Sequence, residues 1–95
     1  MLKTYKIVLE EKAKSDFGYW KNNDKNIVNR IELLLNDIRS TPESGIGKPE
    51  KLKHSFSGYW SRRITQEHRL IYKVINDVKM VHVFSCKGHY SLRCK

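Results

Sequence analysis

The apolar positions of this chain change their period once. Residues 3–9, KTYKIVL, read as a short strand. In EEKAKSDFGYWKNN, Ala13, Phe17 and Trp20 fall at helical spacing (i, i+4, i+7), with acidic residues in the first turn. The next stretch, DKNIVNRIELLLNDIRS, places Ile27, Ile31, Leu34, Leu35 and Ile38 on one face of a second helix. Asn23 or Asp24 supplies its cap, and Thr41-Pro42 ends it. A Gly/Pro-rich loop, PESGIGKPEKL, follows. After it the runs LKHSFS, YWSRRIT, HRLIYKVI and KMVHVFSC are strand-like, separated by Ser57-Gly58, Gln66-Glu67 and Asn76-Asp77. Short connections make these four an antiparallel meander. The expected fold is therefore α+β: an N-terminal strand, two α-helices, then a four-stranded meander, with the helices on one face of a twisted sheet. The other face must meet water or a ligand.

Arg63 and Arg69 bear on that other face. They flank the turn TQEH, which lacks the Asn-Gly or Gly-X chemistry of a two-residue hairpin. An odd-numbered loop then sets them opposite each other on one face. Two guanidiniums across a ladder repel, and the pairing becomes tolerable with a phosphate between them.

Charge sharpens this picture. Nineteen Lys+Arg against ten Asp+Glu give a net charge of +9, with a pI near 9.7. Seven of the cations (Lys48, Lys51, Lys53, Arg62, Arg63, Arg69, Lys73) lie in residues 48–73 against only Glu50 and Glu67. Such a patch attracts a polyanion, either nucleic acid or an acidic protein segment. At 95 residues the chain is expected to be one domain. No apolar run approaches the ~20 residues that span a bilayer, and the N-terminus lacks a secretory pattern, so no membrane and a cytoplasmic location are expected. The glycines of the 42–52 loop precede no helix-starting pattern, which argues against a P-loop. His82, Cys86, His89 and Cys94 superficially suit a zinc site. However, His82 and Cys86 on one extended strand would stand ~13 Å apart, too far to share an ion. No metal is expected.

GIGKPEKLKHSFSGYWSRRITQEHRLIYKV followed by SCKGHY resembles the YoeB-like (Txe) toxins of the RelE/ParE superfamily of bacterial toxin–antitoxin modules. The resemblance runs from about residue 4 to residue 90. It implies a RelE-like microbial ribonuclease fold and a toxin that enters the ribosomal A site and cuts mRNA there, without metal or other cofactor. The ribose 2′-hydroxyl attacks the adjacent phosphate, leaving a 2′,3′-cyclic phosphate and a 5′-hydroxyl. The positions matching the family's site are Glu50 (general base), Arg69 (phosphate), His89 (general acid) and Tyr90 beside it. Lys53 and Arg63 match further basic positions, and Lys48, Arg62 and Tyr59 complete the expected RNA-binding set. The implied partners are the ribosome with its mRNA and a YefM-like antitoxin, whose acidic segment would suit the +9 charge; a homodimer is also implied. Residues 91–95, SLRCK, extend beyond the position where the family usually stops.

Each assignment has a plainer counterpart. In-line transfer needs a base, an acid and cations for the crowded phosphorane, and the Arg69 fork suits the last role. From composition alone Arg69 reads as a solvated strand arginine. Glu50 sits among Lys48, Lys51 and Lys53, which weaken it as a base unless RNA phosphates or desolvation offset them; Glu67 is the substitute base. His54 and His68 read as solvated or RNA-facing, and His82 as sheet packing in phase with Phe84 and Cys86. Tyr59, Trp60 and Tyr72 are base-stacking candidates, with core filling the alternative for the latter two. A basic module that binds RNA or occludes the ribosome without cutting is the competing function. A gyrase-poisoning relative is disfavoured, since that branch lacks the Glu/Arg/His-Tyr set.

Overall fold

The computed structural model describes residues 4–88. The elements run β1 (Lys6–Leu9), α1 (Glu11–Asn23), α2 (Lys25–Ser40), β2 (Glu50–Lys51), β3 (Tyr59–Arg63), β4 (Arg69–Ile75) and β5 (Met80–Ser85). The strands form one five-stranded sheet in the order β1-β5-β4-β3-β2. β3 to β5 are strands of the expected antiparallel meander, β2 pairs with β3 from within the stretch expected to be loop, and β1 adds parallel to β5, with Lys6 opposite Met80 and Leu9 opposite Val83.

α2 forms where the apolar period and the cap agree. The Asp24 carboxylate accepts from the backbone N–H of Asn26 (3.0 Å) and Ile27 (3.3 Å), a cap worth about 1 kcal/mol. Its buried stripe of Ile27, Ile31, Leu34 and Ile38 meets Ala13 and Trp20 of α1 and the helix-facing side of the sheet: Leu70, Tyr72, Val81 and Val83. Period-two alternation consigns the other side chains to the open face. Register places Glu50, Ser61 and Ile71 in one row of that face, and Tyr59, Lys73 and His82 in another.

Two expectations are corrected. LKHSFS is not a strand: after two residues of β2 the chain turns at His54 (φ 57°) into a short 3-10 turn, His54–Phe56, with Leu52 N–H still donating to the Tyr59 carbonyl at 2.9 Å. His82 and Cys86 are not in phase either. Tyr72 lies opposite Val83 and Ile71 opposite Ser85, so Phe84 is the extra residue of a β-bulge. His82 and Phe84 thus belong to the open face, whereas Cys86 is buried against α1, its thiol on the Ala13 carbonyl at 3.7 Å. Burial, reinforced by the Asp16 carboxylate, pushes that thiol up to about 12, so Cys86 is an inert filler of the core.

Candidate active site on the open sheet face

The five-residue loop 64–68 sets Arg63 directly opposite Arg69, as the turn chemistry predicts. Arg63 is exposed and Arg69 half-buried. Among the described residues neither guanidinium has a carboxylate partner; Arg69 Nη1 donates to the carbonyls of Thr65 (3.2 Å) and Gln66 (3.5 Å) in its own hairpin loop. Glu50 registers with Ser61, two residues from Arg63 along β3, about 7 Å at strand rise. An exposed carboxylate therefore stands beside a pair of guanidiniums that no described carboxylate neutralises. Exposed Lys48 and Lys53 bracket β2, and Lys48 holds a left-handed φ of 52° as the loop enters Pro49-Glu50. Half-buried Tyr59 faces the same side.

Arg62 does not belong to this surface. It is fully buried on the helix-facing side of β3, where its five N–H donors are all used. Nε donates to Tyr72 Oη (3.0 Å), Nη1 to Asp37 Oδ2 (2.6 Å) and the Ile46 carbonyl (3.1 Å), and Nη2 to the carbonyls of Thr41 (2.6 Å) and Ser44 (2.8 Å). Tyr72 Oη in turn donates to the Pro42 carbonyl at 2.7 Å. The 41–46 loop is thus wrapped round one guanidinium. Gly45 (φ 122°) and Gly47 (φ 80°) permit the wrapping: a Cβ on Gly45 would fall on the Asp37 carboxylate, and one on Gly47 would lie 2.7 Å from Leu34 Cδ2. Arg62 is a structural residue, and Tyr72 and the half-buried, helix-facing Trp60 are core rather than stacking platforms.

His89 and Tyr90, together with the 91–95 extension, lie outside the described residues. The segment leading to them is firmly held. Trp20 Nε1 donates to the Cys86 carbonyl (2.9 Å), Cys86 N–H donates to Asp16 (3.0 Å), and Gly88 N–H donates to His68 Nδ1 (2.8 Å). The Gly88 carbonyl accepts from Arg69 N–H at 2.9 Å. His68, expected as solvated or RNA-facing, is instead half-buried edge-on against the Trp20 indole, 4.8 Å between ring centroids. Nothing local in the sequence signals this, because both partners are remote in the chain. The residue before His89 is thereby tied to the backbone of Arg69 itself.

His54 is exposed at its turn, and His82 Nδ1 meets Glu10 Oε2 at 2.6 Å. His82 and Cys86, on opposite faces, do not converge as metal ligands, and no metal-binding cluster occurs among the described residues. Nor is any described helix long and apolar enough to cross a membrane.

Comparison with known proteins agrees with this geometry. Residues 9–90 match the model of the family described as YoeB-like toxin of bacterial type II toxin-antitoxin system. Toxin YoeB of Escherichia coli K12 is 48% identical over 85 residues, covering 90% of this chain and 99% of the relative. Among solved structures, the YoeB/ParE toxin from Agrobacterium tumefaciens superposes with a TM-score of 0.86 at 40% identity, covering 90% of this chain and 99% of the other. YoeB of Staphylococcus aureus has been solved in a heterotetrameric complex with YefM (TM-score 0.81, 44% identity, 90% and 98% covered). It has also been solved as a dimer (TM-score 0.80, 45% identity, 90% and 98% covered). With an α+β sheet carrying a basic open face, and a family match over nearly its whole length, this chain belongs to the YoeB-like toxins of type II toxin–antitoxin systems.

Proposed function

We propose that this toxin is a metal-independent endoribonuclease of the cytoplasm that cuts mRNA in the ribosomal A site and so halts translation. The observation that carries the reading is the meeting, on one open face, of Glu50 with the opposed Arg63 and Arg69, beside the anchored chain end that leads into His89. Glu50 takes the proton from the ribose 2′-hydroxyl as its oxygen attacks the adjacent phosphorus. Arg69, with Arg63 and Lys53, balances the charge that grows on the phosphorane oxygens. His89 protonates the departing 5′-oxygen, leaving a 2′,3′-cyclic phosphate and a 5′-hydroxyl, with Tyr90 beside it. Proton donor and acceptor are both side chains, so every atom in the step is accounted for.

Primer extension on translated mRNA tests this. Wild-type protein should generate new 5′ ends at A-site codons, and Glu50→Gln and His89→Ala should lose them while still binding ribosomes. Translation blocked without new 5′ ends would favour the occluding module instead.

His68 acts here as a positioning residue. His68→Leu removes the acceptor for Gly88 N–H and should lower kcat roughly ten- to hundredfold with little change in KM. His68→Asn, whose amide oxygen can stand in for Nδ1, should recover most of the loss; equal loss in both variants would reduce His68 to a packing residue.

The partners follow from the same face. A YefM-like antitoxin would cover the cationic row with an acidic segment, in line with the YefM complex of the Staphylococcus aureus relative. The dimer of that relative supports a homodimer in the absence of antitoxin.

A further inference from the structure

Next to the proposed catalytic row, the open face sinks into a hollow of about 640 Å³ between the β1–α1 corner and the strands β3 to β5. Tyr59 and Phe84 form an aromatic wall, their ring centroids 6.2 Å apart and inclined at 69°. Lys73 Nζ stands 5.5 Å from the Tyr59 centroid. Facing them is the Glu10–His82 pair. The hollow shares its sheet face with Arg69, since Lys73 lies four residues along the same strand, ~13 Å away at strand rise.

Two features make this a built site. Phe84 is the bulge residue with no partner across the ladder, and it is 39% exposed; bulges beside functional sites re-aim a side chain. Glu10 is fixed at the opposite wall by its backbone N–H, which donates to the Val83 carbonyl at 2.9 Å, and by the 2.6 Å contact with His82.

We propose that this hollow is a subsite for one base of the bound RNA, a nucleotide flanking the cleaved bond, and that it prefers bases carrying an amino group to uracil; the proposal rests on the nuclease reading above. The charge pattern selects a base over the alternatives. Glu10 and Glu11 balance Lys12 and Lys73 in its lining, so the hollow lacks the excess of cations that would draw an acidic antitoxin segment or a phosphate into its floor. A flat, uncharged ring stacks on Phe84 and Tyr59, a sequence-tolerant contact typical of single-strand binding. Lys73 meets the phosphate of that nucleotide at the rim. Lys12 is already tied to Asp16 at 2.9 Å. The Glu10 oxygen not held by His82 accepts from an exocyclic amine of adenine, cytosine or guanine. Uracil offers only an imide N–H between two carbonyls whose lone pairs face the carboxylate.

Two measurements test the subsite separately from catalysis. On ribosomes programmed with mRNAs varied at the nucleotides flanking the cut, Phe84→Ala should raise KM roughly five- to hundredfold with kcat near wild type. Phe84→Trp should keep the wild-type KM, and Glu10→Gln should flatten the preference against uracil. If Phe84→Ala has wild-type KM on every flanking sequence, the proposal fails and the nuclease reading stands. If the wild-type protein cuts nothing, the nuclease reading fails, and NMR titration of the isolated protein with 2′-O-methyl tetranucleotides decides the subsite. Shifts at Phe84, Tyr59 and His82 that are larger for amine-bearing oligomers than for oligouridine support it. No shifts there, or shifts only with an acidic peptide, overturn it.

Discussion

Replacing Arg62 by alanine should cost about 3–5 kcal/mol of stability, because it removes at once the cation paired with half-buried Asp37, the donors to three loop carbonyls and the donor to the Tyr72 hydroxyl. For a domain this size that is a fall of roughly 15–30 °C in Tm. Arg63→Ala, one residue on and exposed, should stay within about 0.5 kcal/mol of wild type. Arg62→Lys should fall between, since an ammonium cannot reproduce a planar five-donor fork. The pair shows an acid signature too. The Arg62 hydrogen bond, helped by Ile46 N–H, holds the Asp37 carboxyl below its ordinary 3.8 against the opposing pull of burial. A carboxyl whose value is depressed by folding contributes stability above its unfolded value and loses it as pH falls through the folded one. Wild-type stability should therefore drop with a component below pH 3.8 that Arg62→Ala lacks. Thermal melts across pH read both effects, and an Arg62→Ala protein melting like wild type would refute the structural role.

The contrast between neighbouring arginines shows where the sequence speaks and where it falls silent. α2 is legible because two independent signals coincide: an apolar stripe at Ile27, Ile31, Leu34 and Ile38, and a capping Asp24. The facing of Arg63 and Arg69 is legible from the absence of tight-turn residues between them. Arg62 is not, since YWSRR carries no clean apolar alternation and its partners come from α2 and the loop after it, up to 25 residues away. The phase of β5 is lost at Phe84, because a bulge depends on how the neighbouring strand is met rather than on the run itself. His68 is obscure for the same reason, its acceptor role being set by Gly88 and its packing by Trp20. The resemblance to a family picks out Glu50, Arg69 and His89, but it gives no account of what holds them.

Arg69→Gln should reduce cleavage roughly a hundred- to thousandfold, the cost of removing one charged stabiliser of a developing anionic transition state. It should do so without weakening the fold. Arg69 and Arg63 are directly opposed on the ladder with no carboxylate between them among the described residues, and like charges so placed are destabilising. Relieving that repulsion offsets the weak side-chain contacts of Arg69 to Thr65 and Gln66, while its backbone bond to Gly88 is untouched by the substitution. The expected protein is at least as stable as wild type, yet nearly inactive. Arg69→Lys should lie near Arg69→Gln in rate, because a single ammonium cannot hold two phosphate oxygens in the geometry of the fork. Denaturant melts and cleavage rates on programmed ribosomes, taken on the same preparations, test both halves. A large loss of stability would mean that the pair is a structural contact. Wild-type cleavage by Arg69→Gln would shift the phosphate role to Arg63. Stability and activity moving in opposite directions is the result expected of a guanidinium held in place for an absent phosphate.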